Sequence, residues 1–158
     1  MPHEFTVQDS PDERDVEFLR KSLSEHNLKH STIGDTQALA IFLKDERGHI
    51  RAGIYGQLWG QCLEIDYLWA HADLRGQGYG QKLLLELENQ AVRRGCNLAI
   101  LDTYSFQAPE FYQKLGYEIW GIIDGYPNQY RKIFLKKRLD EKRFQGPASP
   151  GEIEVSSG

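Results

Sequence analysis

The stretch that decides the fold of this 158-residue chain is LWAHADLRGQGYG, from Leu68 to Gly80. An apolar, strand-like run leads into alternating glycines, and residues 81–94 then carry apolar side chains at helical spacing. Glycine lets a backbone approach a ligand closely and adopt positive φ. The first amides of a helix lack partners within it, and the helix dipole makes that end partly positive. The segment therefore predicts an anion site, most naturally for phosphate, to which Arg75 adds a full charge.

Two other phosphate-binding loops are excluded by the residues that follow the glycines. The dinucleotide pattern GxGxxG, started at Gly76, requires a sixth-position glycine where the chain has Gln81. The Walker pattern requires Gly-Lys-Ser/Thr, whereas Gly80 is followed by Gln81, Lys82 and Leu83. Neither pattern fits, and alternating glycines at a strand–helix junction can also have a purely structural role, so the flanking sequence must decide between the two.

Upstream of this loop, the pattern predicts a helix and then an antiparallel meander. Phe5 and Val7 alternate with polar residues and suggest a short first strand, and a helix is expected from Glu13 to Lys29. Turn-forming residues then separate three strand-like runs, which short connections can only join as antiparallel neighbours. These runs are Ala38–Leu43, His49–Trp59 and Cys62–Ala70.

Downstream of the loop, helices and strands alternate. The predicted order is the helix over residues 81–94, a short apolar strand at Leu98–Leu101, a helix that Pro109 opens and Gly116 closes, and two strands. These last strands are expected at Tyr117–Ile123 and Tyr130–Leu139. The fold class is therefore α/β with a mixed, α+β-like sheet: a three-layer fold with an N-terminal meander, then βαβα, then two C-terminal strands.

The composition narrows the class of protein. A single domain is expected over residues 1–144, and the Pro-, Gly- and Ser-rich residues 145–158 predict a disordered tail, part of which is typical of an expression-vector remnant. A net charge of −4 argues against nucleic acid as a partner. The chain has no leader-like N-terminus and no membrane-spanning apolar run, so a cytoplasmic protein is predicted. Cys62 and Cys96 have no metal-ligand spacing, and we expect both to be reduced and buried and no metal to be bound.

Two motifs in this order resemble the GNAT superfamily of N-acetyltransferases. The segment RGQGYG, Arg75 to Gly80, resembles that family's Arg/Gln-x-x-Gly-x-Gly/Ala motif. The segment APEFYQKLGY, Ala108 to Tyr117, resembles its Ala-x-x-x-Tyr-x-Lys-x-Gly-Phe/Tyr signature. The resemblance spans residues 5–139, and SFQAPEFY from Ser105 to Tyr112 is similar to a bacterial-type subgroup.

The resemblance implies acetyl-CoA as the cofactor and a GNAT-like fold with a splayed pair of central strands. In that family the backbone of the glycine loop holds the CoA pyrophosphate, while the end of the preceding strand pairs with the pantetheine arm. Ser105 stands where many relatives have a cofactor-contacting asparagine, so a hydroxyl would replace part of that amide's role. The implied cofactor-binding residues are Leu68, Trp69, Ala70, Arg75, Gly76, Gln77, Gly78, Tyr79, Gly80, Gln81 and Ser105.

The resemblance also implies where the catalytic groups lie. Tyr112 matches the tyrosine that protonates the departing thiolate in the family, a transfer from a phenol that the right site can favour. An amine acceptor must first lose a proton, and Glu64 matches the common position of a glutamate base. Asp66 is on the same face of the strand by its period-two spacing and is the alternative base.

The acceptor is expected to enter opposite the cofactor, between aromatic side chains that can hold a cation against a ring face. The candidate acceptor-binding residues are Tyr55, Trp59, Tyr67, Tyr104, Phe106 and His26. The predicted function is transfer of acetyl from acetyl-CoA to a primary amine of a small molecule or peptide by direct attack in a ternary complex. The alternative is a non-catalytic acyl-CoA-binding sensor or interaction module of the same fold. A homodimer is suggested by analogy of fold alone.

Overall fold

The computed structural model describes residues 3–30 and 36–139, and the chain forms two units, residues 1–35 and 36–158. In the first unit, α1 spans Glu13–His30, one residue beyond the predicted end. It begins after Asp12, whose carboxylate accepts the N–H of Arg14 at 2.9 Å. The predicted strand around Phe5 and Val7 is wrong: both side chains are exposed and no ladder forms. Two alternating residues cannot specify a strand when no partner backbone completes its hydrogen bonds.

In the second unit, the predicted antiparallel meander is confirmed. Its strands are β1 (Gln37–Lys44), β2 (Ile50–Trp59) and β3 (Cys62–Ala70). The turn between β1 and β2 is fixed by Asp45, whose carboxylate accepts the N–H groups of residues 47 and 49, both at 2.9 Å.

The remaining elements also follow the predicted order. They are α2 (Tyr79–Arg93), β4 (Leu98–Tyr104), α3 (Pro109–Lys114), β5 (Glu118–Ile123) and β6 (Lys132–Arg138). The six strands lie in the order β1-β2-β3-β4-β6-β5, and only β3 and β4 are parallel. The last strand begins two residues later than predicted because a 3₁₀ turn occupies Pro127–Gln129.

The core lies between the sheet and the apolar face of α2. Leu84 and Leu87 of α2, with Ile54, Leu63 and Leu135 of the sheet, are the largest fully buried side chains. Alternate residues of β2, β3 and β4 point to this side, as strand periodicity requires. Both cysteines are free, as predicted, although Cys62 is only half-buried while Cys96 is buried.

The core also contains an ion pair that the sequence patterns did not reveal. Glu88 of α2 accepts hydrogen bonds from the Lys137 ammonium at 2.6 Å and from the Tyr117 hydroxyl at 2.8 Å. All three residues are buried, at 3–4% relative exposure. A buried carboxylate is tolerated because its partners satisfy it, so this group joins α2 to β6 and to the residue before β5.

Two predictions are left open by the described residues. The tail at residues 145–158 lies outside them, and the single domain over residues 1–144 stays a prediction. Of the helices in residues 3–30 and 36–139, none has the length and apolarity needed to cross a membrane.

Candidate active site

The sheet opens between β3 and β4. The two strands pair only at their first residues, Cys62–Glu64 against Leu98–Ile100. Beyond this point β3 continues along β2 as far as Ala70, while β4 continues along β6 as far as Tyr104. The predicted splayed strand pair is thus confirmed, and the second half of β3 presents a backbone edge that β4 does not cover.

A β-bulge lies in β3 where the two strands separate. Tyr55 of β2 pairs with Tyr67, but its neighbour Gly56 pairs with Ile65, so Asp66 is an extra residue in β3. A Cβ on Gly56 would lie 2.7 Å from the Glu64 carbonyl oxygen. Only glycine permits this close approach of β2 to β3 beside the bulge. In sequence, Gly56 within an otherwise strand-like run was the one available signal.

The loop between β3 and α2 is held by its own side chains. A 3₁₀ turn occupies Ala72–Leu74, and Arg75 donates through Nε to the Ala70 carbonyl at 3.2 Å. The Gln77 amide donates to the Asp73 carbonyl at 2.7 Å. Two glycines, Gly76 at φ +78° and Gly78 at φ +85°, adopt the left-handed conformation that side chains disfavour, and a Cβ on either would point into open space. The loop therefore forms an open cradle of backbone.

The N-terminus of α2 completes this cradle. The helix begins at Tyr79, two residues earlier than predicted, after Gly78 as its N-cap, and no side chain caps it. The backbone N–H of Lys82 donates to the Gly78 carbonyl at 3.1 Å, and this is the first backbone hydrogen bond of the helix. The amides of Tyr79, Gly80 and Gln81 precede that bond and have no carbonyl one turn earlier in the helix. Three neighbouring N–H groups at the positive end of a helix dipole suit an anionic group.

The helix that carries Tyr112 packs against this same helix start. A Cβ on Gly80 would lie 3.4 Å from the ring of Phe111, so α3 approaches α2 at the first turn after the glycine loop. Tyr112 is half-buried, with ring centroids 5.0 Å from Phe111 and 6.0 Å from Tyr117. Burial raises the pKa of the Tyr112 phenol above its ordinary value. Tyr112 therefore keeps its proton at neutral pH.

The two candidate bases lie where β3 leaves β4. Glu64 is the last β3 residue that pairs with β4, opposite Ile100, and Asp66 is the bulged residue two positions on. Both are exposed, and the Gln57 amide donates to the Asp66 carboxylate at 2.8 Å. Within residues 3–30 and 36–139, neither carboxylate forms an ion pair with Lys, Arg or His.

The structure brings some of the predicted acceptor residues together and keeps Trp59 apart from them. Tyr55 and Tyr67 stack at 5.9 Å on neighbouring strands, and Tyr104 stacks on Phe106 at 5.6 Å after β4. Trp59 is exposed at the opposite end of β2 from the loop, and His26 belongs to α1 of the first unit, where its ring lies 4.4 Å from that of His30. A cleft of about 350 Å³ is lined by Phe42, Ile50, Gly53, Ile54, Tyr55, Tyr67 and Trp69.

Two further aromatic residues, Tyr126 and Tyr130, lie in this region. Tyr126 contacts the ring of Tyr104 at 5.1 Å, and Tyr130 contacts that of Phe106 at 4.6 Å. Both come from the β5–β6 connection, where Asn128 and Gln129 adopt positive φ. Their place beside β4 depends on β6 lying between β4 and β5, which local patterns do not encode.

Residues 4–117 match the family model described as the acetyltransferase (GNAT) family. The chain belongs to this family. It is 36% identical over 104 residues to the blasticidin-S acetyltransferase of Streptomyces morookaense, covering 65% of this chain and 76% of that protein. An acetyltransferase of Agrobacterium fabrum is 27% identical over 135 residues, covering 85% and 98%. A crystal structure of an acetyltransferase from Bacillus cereus is 33% identical with a TM-score of 0.70, covering 85% and 98%.

Membership of the GNAT family confirms the predicted fold class and the predicted enzyme class. The protein is an acetyltransferase, and the non-catalytic sensor is not favoured. The roles of individual residues, such as Tyr112 and Glu64, stay predictions.

Ser105, at which the family resemblance implies a cofactor contact, already forms hydrogen bonds within the protein. The Ser105 hydroxyl accepts the Arg131 N–H at 3.0 Å, and the Ser105 N–H donates to the Arg131 carbonyl at 2.9 Å. These bonds extend the β4–β6 pairing beyond β4. The hydroxyl hydrogen of Ser105 can still donate, so one hydrogen bond to a cofactor is compatible with this geometry.

Proposed function

We propose that this GNAT acetyltransferase transfers the acetyl group of acetyl-CoA to a primary amine of a small molecule or peptide, in a ternary complex. The observation that carries the proposal is the meeting of three features where the two central strands of the sheet separate. These are the opening between β3 and β4, the unpaired amides at the start of α2, and the half-buried Tyr112 on the helix packed against that start.

The residues present fit the phosphate-bearing cofactor. The backbone amides of Gln77, Gly78 and Gly80, with neighbouring Tyr79 and Gln81, would hold the pyrophosphate, because the loop opens its backbone to solvent at Gly76 and Gly78. Arg75 would add positive charge. The uncovered backbone of Leu68–Ala70 would pair with the amides of the pantetheine arm, as an added strand does.

Acetyl-CoA supplies a thioester, at whose carbonyl carbon the C–N bond to the amine forms while the C–S bond breaks. Tyr112 would give its phenolic proton to the leaving sulfur, and its raised pKa keeps that proton available. A carboxylate would take the proton that the acceptor ammonium must lose before it attacks, and the second proton, which the nitrogen loses after attack, would restore the Tyr112 phenol. Tyr112 lies on α3 and the two carboxylates lie on β3. This arrangement suits a ternary complex, in which acetyl-CoA and the amine enter separately.

The choice of base lies between Glu64 and Asp66. Glu64 marks the residue at which the strands separate, whereas Asp66 is held in place by Gln57. We expect the glutamine or asparagine variant of the true base, Glu64→Gln or Asp66→Asn, to lower kcat by about 10²-fold or more, the usual contribution of a general base. The other variant should keep most of the wild-type kcat.

The acceptor is proposed to combine an amine with an apolar or aromatic body. The cleft beside Tyr67 has aromatic walls, and the unpaired carboxylates nearby on β3 favour a cation. The relative from Streptomyces morookaense is named for blasticidin S, so that compound is the first acceptor to test. A cytoplasmic location and a homodimer remain proposals from sequence and fold analogy.

The test is calorimetry with CoA followed by turnover of Tyr112→Phe. We expect wild-type protein to bind CoA, and the variant to keep that affinity while kcat falls by about 10²-fold, within the usual range for a general acid. Wild-type kcat should show no alkaline loss from Tyr112 until the pH exceeds the ordinary phenol value of about 10, because the pKa is raised. A folded wild-type protein that does not bind CoA would refute the proposal. Full turnover by the variant would remove only the role of Tyr112.

A further inference from the structure

We propose that Asp73 is a positioning residue which, with Arg51 and His71, fixes the glycine loop in the conformation that receives CoA. This group is called the loop clamp below. The proposal rests on the proposed function, because it gives Asp73, a residue outside the GNAT motif, a role in positioning the loop that is proposed to bind CoA. None of the three residues belongs to the GNAT motifs from which the cofactor contacts were predicted.

The Asp73 carboxylate is bound on both of its oxygens. One oxygen accepts from the Arg51 guanidinium at 2.5 Å, and the other lies 2.5 Å from Nδ1 of His71. At that distance from a carboxylate, Nδ1 carries a proton and donates it. The N–H of Asp73, 3.4 Å from the same nitrogen, is then not hydrogen-bonded to it, because a protonated nitrogen has no lone pair to accept with.

The backbone extends this link from the sheet to the loop. The His71 N–H donates to the Arg51 carbonyl at 2.8 Å, so the end of β3 stays registered on β2. The Asp73 carbonyl accepts the Gln77 side chain at 2.7 Å. Asp73 therefore joins Arg51, which lies in the sheet, to Gln77, which lies between the two left-handed glycines.

The clamp matters because the glycines of this loop need restraint from other residues. Gly76 and Gly78 flank Gln77 and have many accessible backbone conformations in the absence of restraint. A loop that must be ordered by its ligand binds more weakly than a loop ordered beforehand. The hydrogen bonds of Asp73 are charge-assisted and thus stronger than neutral ones. We infer that the clamp orders the loop before CoA arrives.

If Asp73 affected CoA binding only through its charge, Asp73→Ala would have the opposite effect on CoA affinity from the one that the clamp predicts. If charge alone mattered, removal of the Asp73 carboxylate would increase the positive potential at an anion site and tighten CoA binding. Removal of Arg51 would weaken it. The clamp predicts instead that Asp73→Ala and Arg51→Ala both weaken binding, because each breaks the same link.

The experiment measures CoA affinity by calorimetry, and KM for acetyl-CoA and kcat at saturation, for Asp73→Ala, Arg51→Ala and the double variant. We expect each single variant to weaken CoA binding about five-fold, the loss typical of one net hydrogen bond in solvent-exposed surroundings, with kcat within about two-fold of wild type. The double variant should bind CoA no more weakly than the single variant with the lower affinity. The reason is that two substitutions which break the same link do not have additive effects.

Asp45→Ala is the matched control. Asp45 is likewise an aspartate paired with a histidine, His49 at 3.4 Å, but it lies in the β1–β2 turn, where its carboxylate accepts backbone amides. It should leave CoA affinity unchanged. Tighter or unchanged binding by Asp73→Ala, or strictly additive losses in the double variant, would overturn the clamp while leaving the proposed function intact. Failure of wild-type protein to bind CoA would instead remove the proposed function.

Discussion

Two ion pairs in this molecule have similar chemistry and different surroundings. Glu88 and Lys137 meet at 2.6 Å in the core, with side chains only 5% and 2% exposed. Asp73 and Arg51 meet at 2.5 Å beside the glycine loop, with side chains 60% and 30% exposed. Water screens the second pair and is excluded from the first, so the two pairs have different consequences.

The difference shows what each kind of pair can do. A buried ion pair has lost its hydration, and removal of one partner leaves an uncompensated charge that destabilises the whole fold. An exposed pair contributes little to global stability, but it can restrict one loop. We therefore expect the core pair to govern folding and the loop pair to govern affinity for the cofactor.

The largest expected effect tests the core side of this comparison. Lys137→Ala leaves the Glu88 carboxylate buried without its ammonium partner and should reduce the free energy of unfolding by about 3–5 kcal/mol. Chemical denaturation followed by circular dichroism measures this loss.

Lys136→Ala is the control for that substitution, since Lys136 is the exposed neighbour on the same strand and its loss should change stability by less than about 0.5 kcal/mol. At temperatures where Lys137→Ala remains folded, its CoA affinity should match that of wild type. Equal stability losses in the two lysine variants would show that the buried pair does not carry the stability assigned to it.

A smaller effect is expected at the bulge, where the core and the site meet. Gly56→Ala places a Cβ 2.7 Å from the Glu64 carbonyl oxygen and should cost about 1–3 kcal/mol of stability through the forced backbone shift. Because Asp66 is the bulged residue and Glu64 lies two positions before it, kcat should fall as well. Unlike Lys137→Ala, this variant should therefore impair both folding and activity.

Gly121→Ala serves as its control, because a Cβ there would meet Phe134 only at 3.7 Å, which is ordinary van der Waals contact. Stability and kcat are compared by denaturation and by thiol release for both glycine variants. Normal kcat in Gly56→Ala would indicate that the bulge does not position the reacting groups.

The smallest effect concerns the contribution of Asp73 to stability. Its pKa is lowered, first by the hydrogen bond from Arg51 and then by that from His71. A carboxyl group with a depressed folded pKa contributes stability above its unfolded pKa, about 4, and loses that contribution as the pH falls through the folded value. The Tm of Asp73→Ala should be slightly below that of wild type at pH 7, and the gap should narrow as the pH falls below about 4. A gap that widened in acid would contradict the assigned pairing.

Local patterns predicted the parts of the molecule in which neighbouring residues decide the outcome. The alternating glycines, the helical spacing of Leu83, Leu84 and Leu87, and Pro109 at the start of α3 all act within a few residues, and the structure confirms the elements that they specify. The same reasoning was wrong at Phe5 and Val7, because a strand exists only with a partner. The shift of α2 to Tyr79 follows from Gly78, whose left-handed conformation ends the loop there.

Contacts between distant segments lay outside the reach of those patterns. The paired residues are far apart in sequence: 9 residues separate Gln57 from Asp66, 22 separate Arg51 from Asp73, and 49 separate Glu88 from Lys137. The bulge at Asp66 and the aromatic contacts of Tyr126 and Tyr130 likewise depend on strand register and strand order.

The sequence by itself determined the order of the elements after residue 12, the glycine loop at residues 75–80 and the resemblance to GNAT acetyltransferases, because these depend on local backbone preference and on spacing along the chain. Only the tertiary structure decided where β3 leaves β4, which residue is bulged, and which charges are buried or hold the loop. The physical reason is that desolvation, register and ion pairing depend on distances in space, and those distances exist only once the sheet has formed.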